Sequence, residues 1–251
     1  MWLELSAMVP GLEWSVVLTY ARVQAFVLAL PAIGERTIPL RVRISLALAL
    51  SPLLTGYAAP VRPPDTAIAL TADIAAETVI GLACGWLLRL LAMAIDLATS
   101  AIAATASLSQ IVGAPNEYSP HPIGNLLHLG GIAILMALGL PVMLVQLIAD
   151  SLLLWPPGGV PQATDFAPEA VRILSFSFML AMLLAAPFSL GGFLYQALSG
   201  VINRVMPSLP VIFIGSPAAI MLALIGLAIL SPMILSLWAD AILSFTLPRT
   251  P

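Results

Sequence analysis

Four ionisable residues lie inside long apolar stretches of this sequence. Asp73 and Glu77 are four residues apart, so a helix places both carboxylates on one face. Arg89 and Asp96 are seven residues apart, which puts them nearly on one face, about two turns distant. If these stretches span a membrane, each charge costs about 2.5 to 3.5 kcal/mol and needs a physical reason. The pattern leaves open a proton or ion relay, polar contacts between helices or water-facing positions in an assembly, and positions near the membrane interface.

Other reactive groups are few and scattered. His121 and His128 are the two histidines, and no acidic residue lies close enough in sequence to complete a metal motif with them. The single Cys84 excludes an intramolecular disulfide and a thiolate metal site. The sequence contains no metalloprotease, P-loop or nucleophile-elbow motif. We therefore expect no catalytic, cofactor-binding or metal site, and no enzymatic activity.

The composition is that of a membrane protein. Of 251 residues, 61% are hydrophobic and only 8% are charged, whereas soluble domains carry about 25% charged residues. The mean hydropathy is +1.07. A helix needs about 20 consecutive apolar residues to cross a bilayer, and the stretches between Glu117 and Asp150 and between Arg204 and Asp240 contain no charged residue. The sequence predicts an integral membrane protein built from α-helices.

Charge is sparse and slightly negative. The formal net charge is −3, and all nine basic residues are arginines. Their one cluster, formed by Arg36, Arg41 and Arg43, is too small for a nucleic-acid surface, so we expect membrane lipid and no nucleic acid among the partners. The first residues lack the positive charge of a signal peptide. We expect the first hydrophobic segment to stay in the mature protein.

The hydrophobic pattern predicts six segments in a single membrane domain over residues 1–251. Pro187 and Pro232 lie inside long segments and predict kinks that neighbouring helices tolerate. Gly81 and Gly85 lie in a stretch rich in small residues, which favours close contact between helices. We expect most of the carboxylates in these segments to lack a partner within the chain. The segments run over about 14–33, 40–59, 66–94 with a continuation toward 111, 126–155, 171–202 and 211–247.

Three short patterns occur in order along the chain. Arg22 in the first segment is followed by Pro31, Ile38-Pro39 and Val42-Arg43. Residues 77–85 match E-x-x-x-G-x-x-x-G, and residues 200–207 match G-x-x-N-R-x-x-P. Together these patterns resemble the FliR family of type III secretion export-gate subunits. The resemblance covers about 21 to 235, but where relatives have Gln-Met-Gly this chain has Gln-Ile-Val-Gly. Helix packing and assembly are the roles it implies for Arg22, Pro39, Arg43, Glu77, Gly81, Gly85, Asn203, Arg204 and Pro207.

The resemblance implies an all-α subunit of a multi-subunit helical ring. In that family the subunit joins FliP-like and FliQ-like subunits to form the membrane conduit for unfolded export substrates, and an FlhB-like protein wraps the closed end. The implied location is the bacterial inner membrane, multi-pass, at the flagellar basal body. The homologous gate of virulence injectisomes shares this scaffold. A secondary transporter or small-molecule channel is the alternative of a different class, although we find no convincing repeat of the kind transporters use.

A proline-rich break separates the third and fourth segments. The resemblance implies that this loop is a plug that seals the closed gate, and its proline rings prevent helix continuation. An irregular segment can seal a conduit when its backbone groups are buried in protein or face water. The rival interpretation is an ordinary connection between segments. The candidate plug residues are Gln110, Gly113, Pro115, Asn116, Glu117, Tyr118, Ser119, Pro120, His121 and Pro122.

Overall fold

The computed structural model describes residues 13–35, 38–105, 122–159, 163–206 and 211–247. Within these ranges the secondary structure is α-helical, with turns and no strand. This confirms the predicted all-α class, and each of the six predicted segments is largely helical. The helices are α1 (Trp14–Ala29), α2 (Leu40–Thr55), α3 (Ala67–Ala92), α4 (Ala94–Thr105), α5 (Pro122–Ala137), α6 (Leu140–Leu154), α7 (Ala163–Val205) and α8 (Val211–Leu243).

Three helical stretches are long and apolar enough to cross a membrane, namely Ala67–Ile102, Phe166–Val205 and Met221–Leu243. A fourth span is possible if Asn125–Ala137 and Leu140–Leu154, which meet at an angle of 73°, act as one broken span. Helix α1 is apolar but has only 16 residues, fewer than the roughly 17 to 25 that a span requires. The candidate spans therefore come from the third to sixth predicted segments.

The helix ends differ from the predicted segments at identifiable turns. Helix α1 ends at Ala29 instead of Ile33 because the chain turns at Pro31 and Ala32. The φ angle of Ala32 is +67°. The third segment is divided between α3 and α4 at Met93, and the fourth is divided at Gly139, where φ is +105°. A left-handed φ suits glycine, which has no Cβ to clash with the backbone. Helices α7 and α8 continue through Pro187 and Pro232, and the kinks there stay a prediction.

The described residues divide into two compact units. The first unit draws on residues 1–91, 139–174 and 244–251, and the second on residues 92–138 and 175–243. In the first unit α1 packs against α2 and α6, and Trp14, Leu18 and Leu70 form a small buried cluster. In the second unit α5 packs against α4 and α8. The single domain expected over residues 1–251 stays a prediction.

Trp238 anchors the second unit. Its side chain on α8 is buried, and its Nε1–H donates a hydrogen bond of 3.1 Å to the carbonyl of Ala92, the last residue of α3. The last carbonyls of a helix lack intrahelical donors, so the indole supplies one of them. A Cβ at Gly131 of α5 would lie 2.5 Å from Trp238 Cζ3. Only glycine at position 131 leaves room for this ring.

Candidate functional site, a buried arginine centre

Helix α1 buries an arginine on its most enclosed face. Leu18, Arg22, Ala25, Phe26 and Ala29 are all buried, and they occupy positions i, i+4, i+7, i+8 and i+11. This spacing places them on one side of an α-helix. The rest of that face is apolar or small, so Arg22 is the one side chain among these five that brings a charge into the interior.

Glu77 of α3 supplies the countercharge. The Arg22 Nε–H donates to Glu77 Oε2 at 2.6 Å, and the two side chains are 1% and 0% exposed. These residues are 55 positions apart in the sequence. A buried charge of either sign is costly unless it is paired and hydrogen-bonded. The ion pair therefore joins α1 to α3.

The remaining nitrogens of Arg22 hold the C-terminal end of α6. Nη1 donates to the carbonyl oxygen of Ser151 at 2.6 Å, and Nη2 donates to that of Trp155 at 2.7 Å. Helix α6 ends at Leu154, and Trp155 is its C-cap residue. A cation at a helix C-terminus is favoured because the carbonyls there lack partners and carry the negative end of the helix dipole. One guanidinium thus connects three helices.

The second oxygen of Glu77 holds the loop that follows α6. Glu77 Oε1 accepts a hydrogen bond of 3.1 Å from the backbone N–H of Gly158. Gly158 has φ +84°, and a Cβ there would lie 3.3 Å from Val61 Cγ1. The position favours glycine because L-residues rarely adopt this backbone conformation. Both oxygens of the carboxylate are therefore engaged, one by a charge and one by the backbone.

Gly81 and Gly85 let α3 approach α1 closely enough for this pairing. They follow Glu77 at intervals of four residues, so all three lie along one face of α3. A Cβ at Gly81 would overlap the carbonyl oxygen of Arg22 and lie 2.9 Å from Ala25 Cβ. One at Gly85 would lie 2.7 Å from the Cβ of Ala29. The E-x-x-x-G-x-x-x-G pattern is thus a contact surface between two helices of the same chain.

This geometry favours one of the interpretations left open for the carboxylates. Glu77 is a structural contact between helices, with both oxygens occupied by donors from its own chain. Asp96 of α4 also has an internal partner, because its Oδ1 lies 3.0 Å from His128 Nδ1 on α5. Two of the carboxylates in the predicted segments, Glu77 and Asp96, therefore have partners within the chain, and the expectation that most of them lack one stays a prediction. The described residues contain no group of three or more His, Cys, Asp or Glu arranged to hold a metal ion.

The other predicted residues that the structure describes are not among the hydrogen-bonding groups of this centre. Arg43 Nη2 donates to the carbonyls of Glu35 and Ile38, so this arginine holds the turn before α2, where Pro39 is the N-cap residue. Asn203 and Arg204 are exposed in the last turn of α7. Pro207 and the candidate plug residues at 110–121 lie outside the described residues, while Pro122 is the first residue of α5.

Several residues of the centre carried no recognisable motif. The carbonyls of Ser151 and Trp155 and the amide of Gly158 are backbone groups, so their roles could not be read from residue type. The pairing of Arg22 with Glu77 could have been predicted from the sequence, because each is a charged residue in an apolar helix and such residues need partners. The same reasoning could have paired Asp96 with His128.

Large apolar side chains remain exposed on the two longest helices. The most apolar part of each candidate span is buried to a different extent. The buried share is 56% for Ala67–Ile102, 39% for Phe166–Val205 and 11% for Met221–Leu243. Helix α8 is therefore the least covered of the three. Exposed apolar side chains on α7 and α8 include Phe178, Met179, Met182, Leu190, Phe193, Leu194, Met221, Leu222, Ile225, Ile229 and Met233.

Comparison with known proteins adds a family assignment. Residues 14–245 match the family described as bacterial export proteins, family 1. Flagellar biosynthetic protein FliR of Caulobacter vibrioides is 31% identical over 229 residues, covering 89% of this chain and 90% of the relative. The proteins of that name from Aquifex aeolicus and Escherichia coli are 27% and 24% identical, covering 88% and 85% of this chain and 86% and 82% of the relatives.

Proposed function

Because the chain belongs to family 1 of the bacterial export proteins, we propose that it is a core subunit of the flagellar type III protein-export gate. It joins FliP-like and FliQ-like subunits to form the conduit for unfolded substrates in the bacterial inner membrane, and an FlhB-like protein wraps the closed end. The observation that carries the proposal is the near full-length match to proteins named FliR. Their flagellar names favour a flagellar gate over an injectisome gate.

The geometry supports an architectural role. Arg22 and Glu77 form hydrogen bonds to each other, to the C-terminal end of α6 and to the loop after it, and so connect helices of the first unit. The apolar faces of α7 and α8 are exposed over long distances. Contiguous apolar surface of this kind is typical of contact with lipid or with other proteins. A subunit of a membrane assembly would bury part of that surface against its neighbours.

Co-expression tests the proposal directly. Produced with its FliP-like and FliQ-like partners, the chain should enter a large detergent-stable complex, and size-exclusion chromatography would detect it. Produced alone, it should be a poor monomer, because the apolar faces of α7 and α8 lack their neighbours. The control is co-expression with an unrelated helical membrane protein. A well-behaved monomer that FliP-like and FliQ-like subunits leave unchanged would contradict the proposal.

The plug is part of the proposal and rests on the family resemblance. Deleting residues 113–119 should make membranes that contain the gate leaky to small ions while secretion partly survives, because the conduit would lose its seal but not its walls. Conductance of vesicles containing the purified complex measures this. Unchanged conductance in a deletion variant that still assembles would reject the plug and leave the gate assignment standing.

A further inference from the structure

Asp96 is a half-exposed carboxylate within a candidate span. It lies in the first turn of α4, inside the apolar stretch Ala67–Ile102. Its side chain is 51% exposed, and His128, the residue it contacts, is 22% exposed. Within the described part of the chain, only Oδ1 of this carboxylate has a side-chain partner. A carboxylate offers about four lone-pair positions, so the described side chains use only part of its acceptor capacity.

The contacts within the chain compensate this charge only in part. A carboxylate in a spanning helix costs about 2.5 to 3.5 kcal/mol at the helix centre. Its place in the first turn of α4 recovers only about 0.3 to 1 kcal/mol from the helix dipole. Among the described residues, His128 contacts one of the two oxygens. A further donor from outside the chain would satisfy the second oxygen.

The surroundings of Asp96 indicate what kind of donor fits. Ser100 lies one turn further along the Asp96 face of α4, Leu97 is the residue next to Asp96, and Met93 immediately precedes the helix. On α5, Asn125 and Leu129 flank His128 and are exposed. We define the Asp96 patch as Met93, Asp96, Leu97, Ser100, Asn125 and Leu129. It is a largely apolar surface with one negative charge, so its complement is an apolar surface with one positive charge.

We infer that the Asp96 patch binds a helix of a neighbouring membrane subunit that presents an arginine or lysine among apolar residues. The basic side chain donates a hydrogen bond to Oδ2 of Asp96, and His128 orients the carboxylate through its contact with Oδ1. The inference rests on the proposed function, which supplies neighbouring subunits. Charge complementarity favours a protein helix over lipid tails, which offer no hydrogen-bond donor, and Met93, Leu97 and Leu129 would pack against the apolar residues of that helix.

Asp96→Asn tests the charge with little change of shape. With FliP-like, FliQ-like and FlhB-like subunits co-expressed, it should lower the yield of complex about three- to twentyfold. This corresponds to the roughly 0.6 to 1.7 kcal/mol measured for polar contacts between membrane helices. Asp96→Arg should lower it further through like-charge repulsion. The control is Asp240→Asn, which removes another exposed carboxylate of the same unit and should leave the yield unchanged.

Three further experiments distinguish a loss of association from a loss of folding and identify the partner. The purified Asp96→Asn chain should unfold at the same temperature as the unmodified chain, whereas a matching loss of stability would make the role internal and overturn the inference. A photo-crosslinking residue at Leu97 should attach to one co-expressed subunit. Changing the basic residue of the attached helix to aspartate should restore assembly of Asp96→Arg.

Other occupants of the patch give different results. Crosslinks to lipid alone, or to this chain alone, would overturn the inference, as would a crosslinked helix without a basic residue. So would labelling of a cysteine at position 97 by a membrane-impermeant maleimide in the assembled complex, because the patch would then face water. If the unmodified chain enters no complex, the proposed function fails. If Asp96→Arg assembles as well as the unmodified chain, only the patch fails.

Discussion

Replacing Glu77 by glutamine is expected to remove most of the assembled complex from the membrane and to abolish motility. The amide keeps the shape of the side chain but leaves the Arg22 guanidinium, 1% exposed, without a countercharge. Removing one partner of a buried ion pair costs about 3 to 5 kcal/mol. Whole domains are stable by only about 5 to 15 kcal/mol. Quantifying the detergent-stable complex at matched expression measures the loss.

Two companion variants show whether the lost pairing is responsible. Asp73→Asn makes the same chemical change one turn earlier on α3, at a half-buried residue, and should assemble normally. The double variant Arg22→Met with Glu77→Met removes both charges. It should assemble better than Glu77→Gln, because apolar replacement of a whole buried pair is far less costly than breaking it. Equal assembly of Glu77→Gln and the unmodified chain would show that the pair does not support the fold.

The sequence alone was sufficient to predict those features of the fold that depend on one dominant physical effect. Long uncharged stretches predicted the helices, since a chain in lipid must satisfy its backbone groups internally. Gly81 and Gly85 were identified as close-approach positions because a missing Cβ has one main use in a membrane helix. Their contact is with α1 of the same chain, a detail that the spacing of the two glycines does not contain.

The arginine centre depended on tertiary packing and could not be predicted in full. The spacing of Asp73 and Glu77 placed both carboxylates on one helix face, but it did not show that Glu77 pairs with Arg22 on another helix. The carbonyls that Arg22 binds belong to the end of α6, 129 and 133 positions away in the sequence. The break at Met93 was also hidden, because methionine is a good helix former. The carbonyl of Ala92, just before this break, accepts a hydrogen bond from Trp238, which is 146 residues away.

Gly81→Leu should prevent formation of the complex. A Cβ at this position already overlaps the carbonyl oxygen of Arg22, a backbone atom that cannot rotate away as a side chain would. Overpacking of a core with movable neighbours costs about 1 to 3 kcal/mol, and a leucine against a fixed backbone should exceed that range. Separating α1 from α3 would also lengthen the contact between Arg22 and Glu77. We expect no detergent-stable complex by size-exclusion chromatography and no motility.

Gly130→Leu is the matched control for this prediction. Gly130 lies inside α5, and a Cβ there meets nothing within 4 Å. Replacing a helical glycine by leucine improves helix propensity by somewhat less than about 1 kcal/mol, so this variant should assemble at least as well as the unmodified chain. Gly85→Leu should behave like Gly81→Leu, because its Cβ would lie 2.8 Å from the carbonyl oxygen of Phe26. Normal motility and assembly of Gly81→Leu would place Gly81 against lipid and refute the contact between α1 and α3.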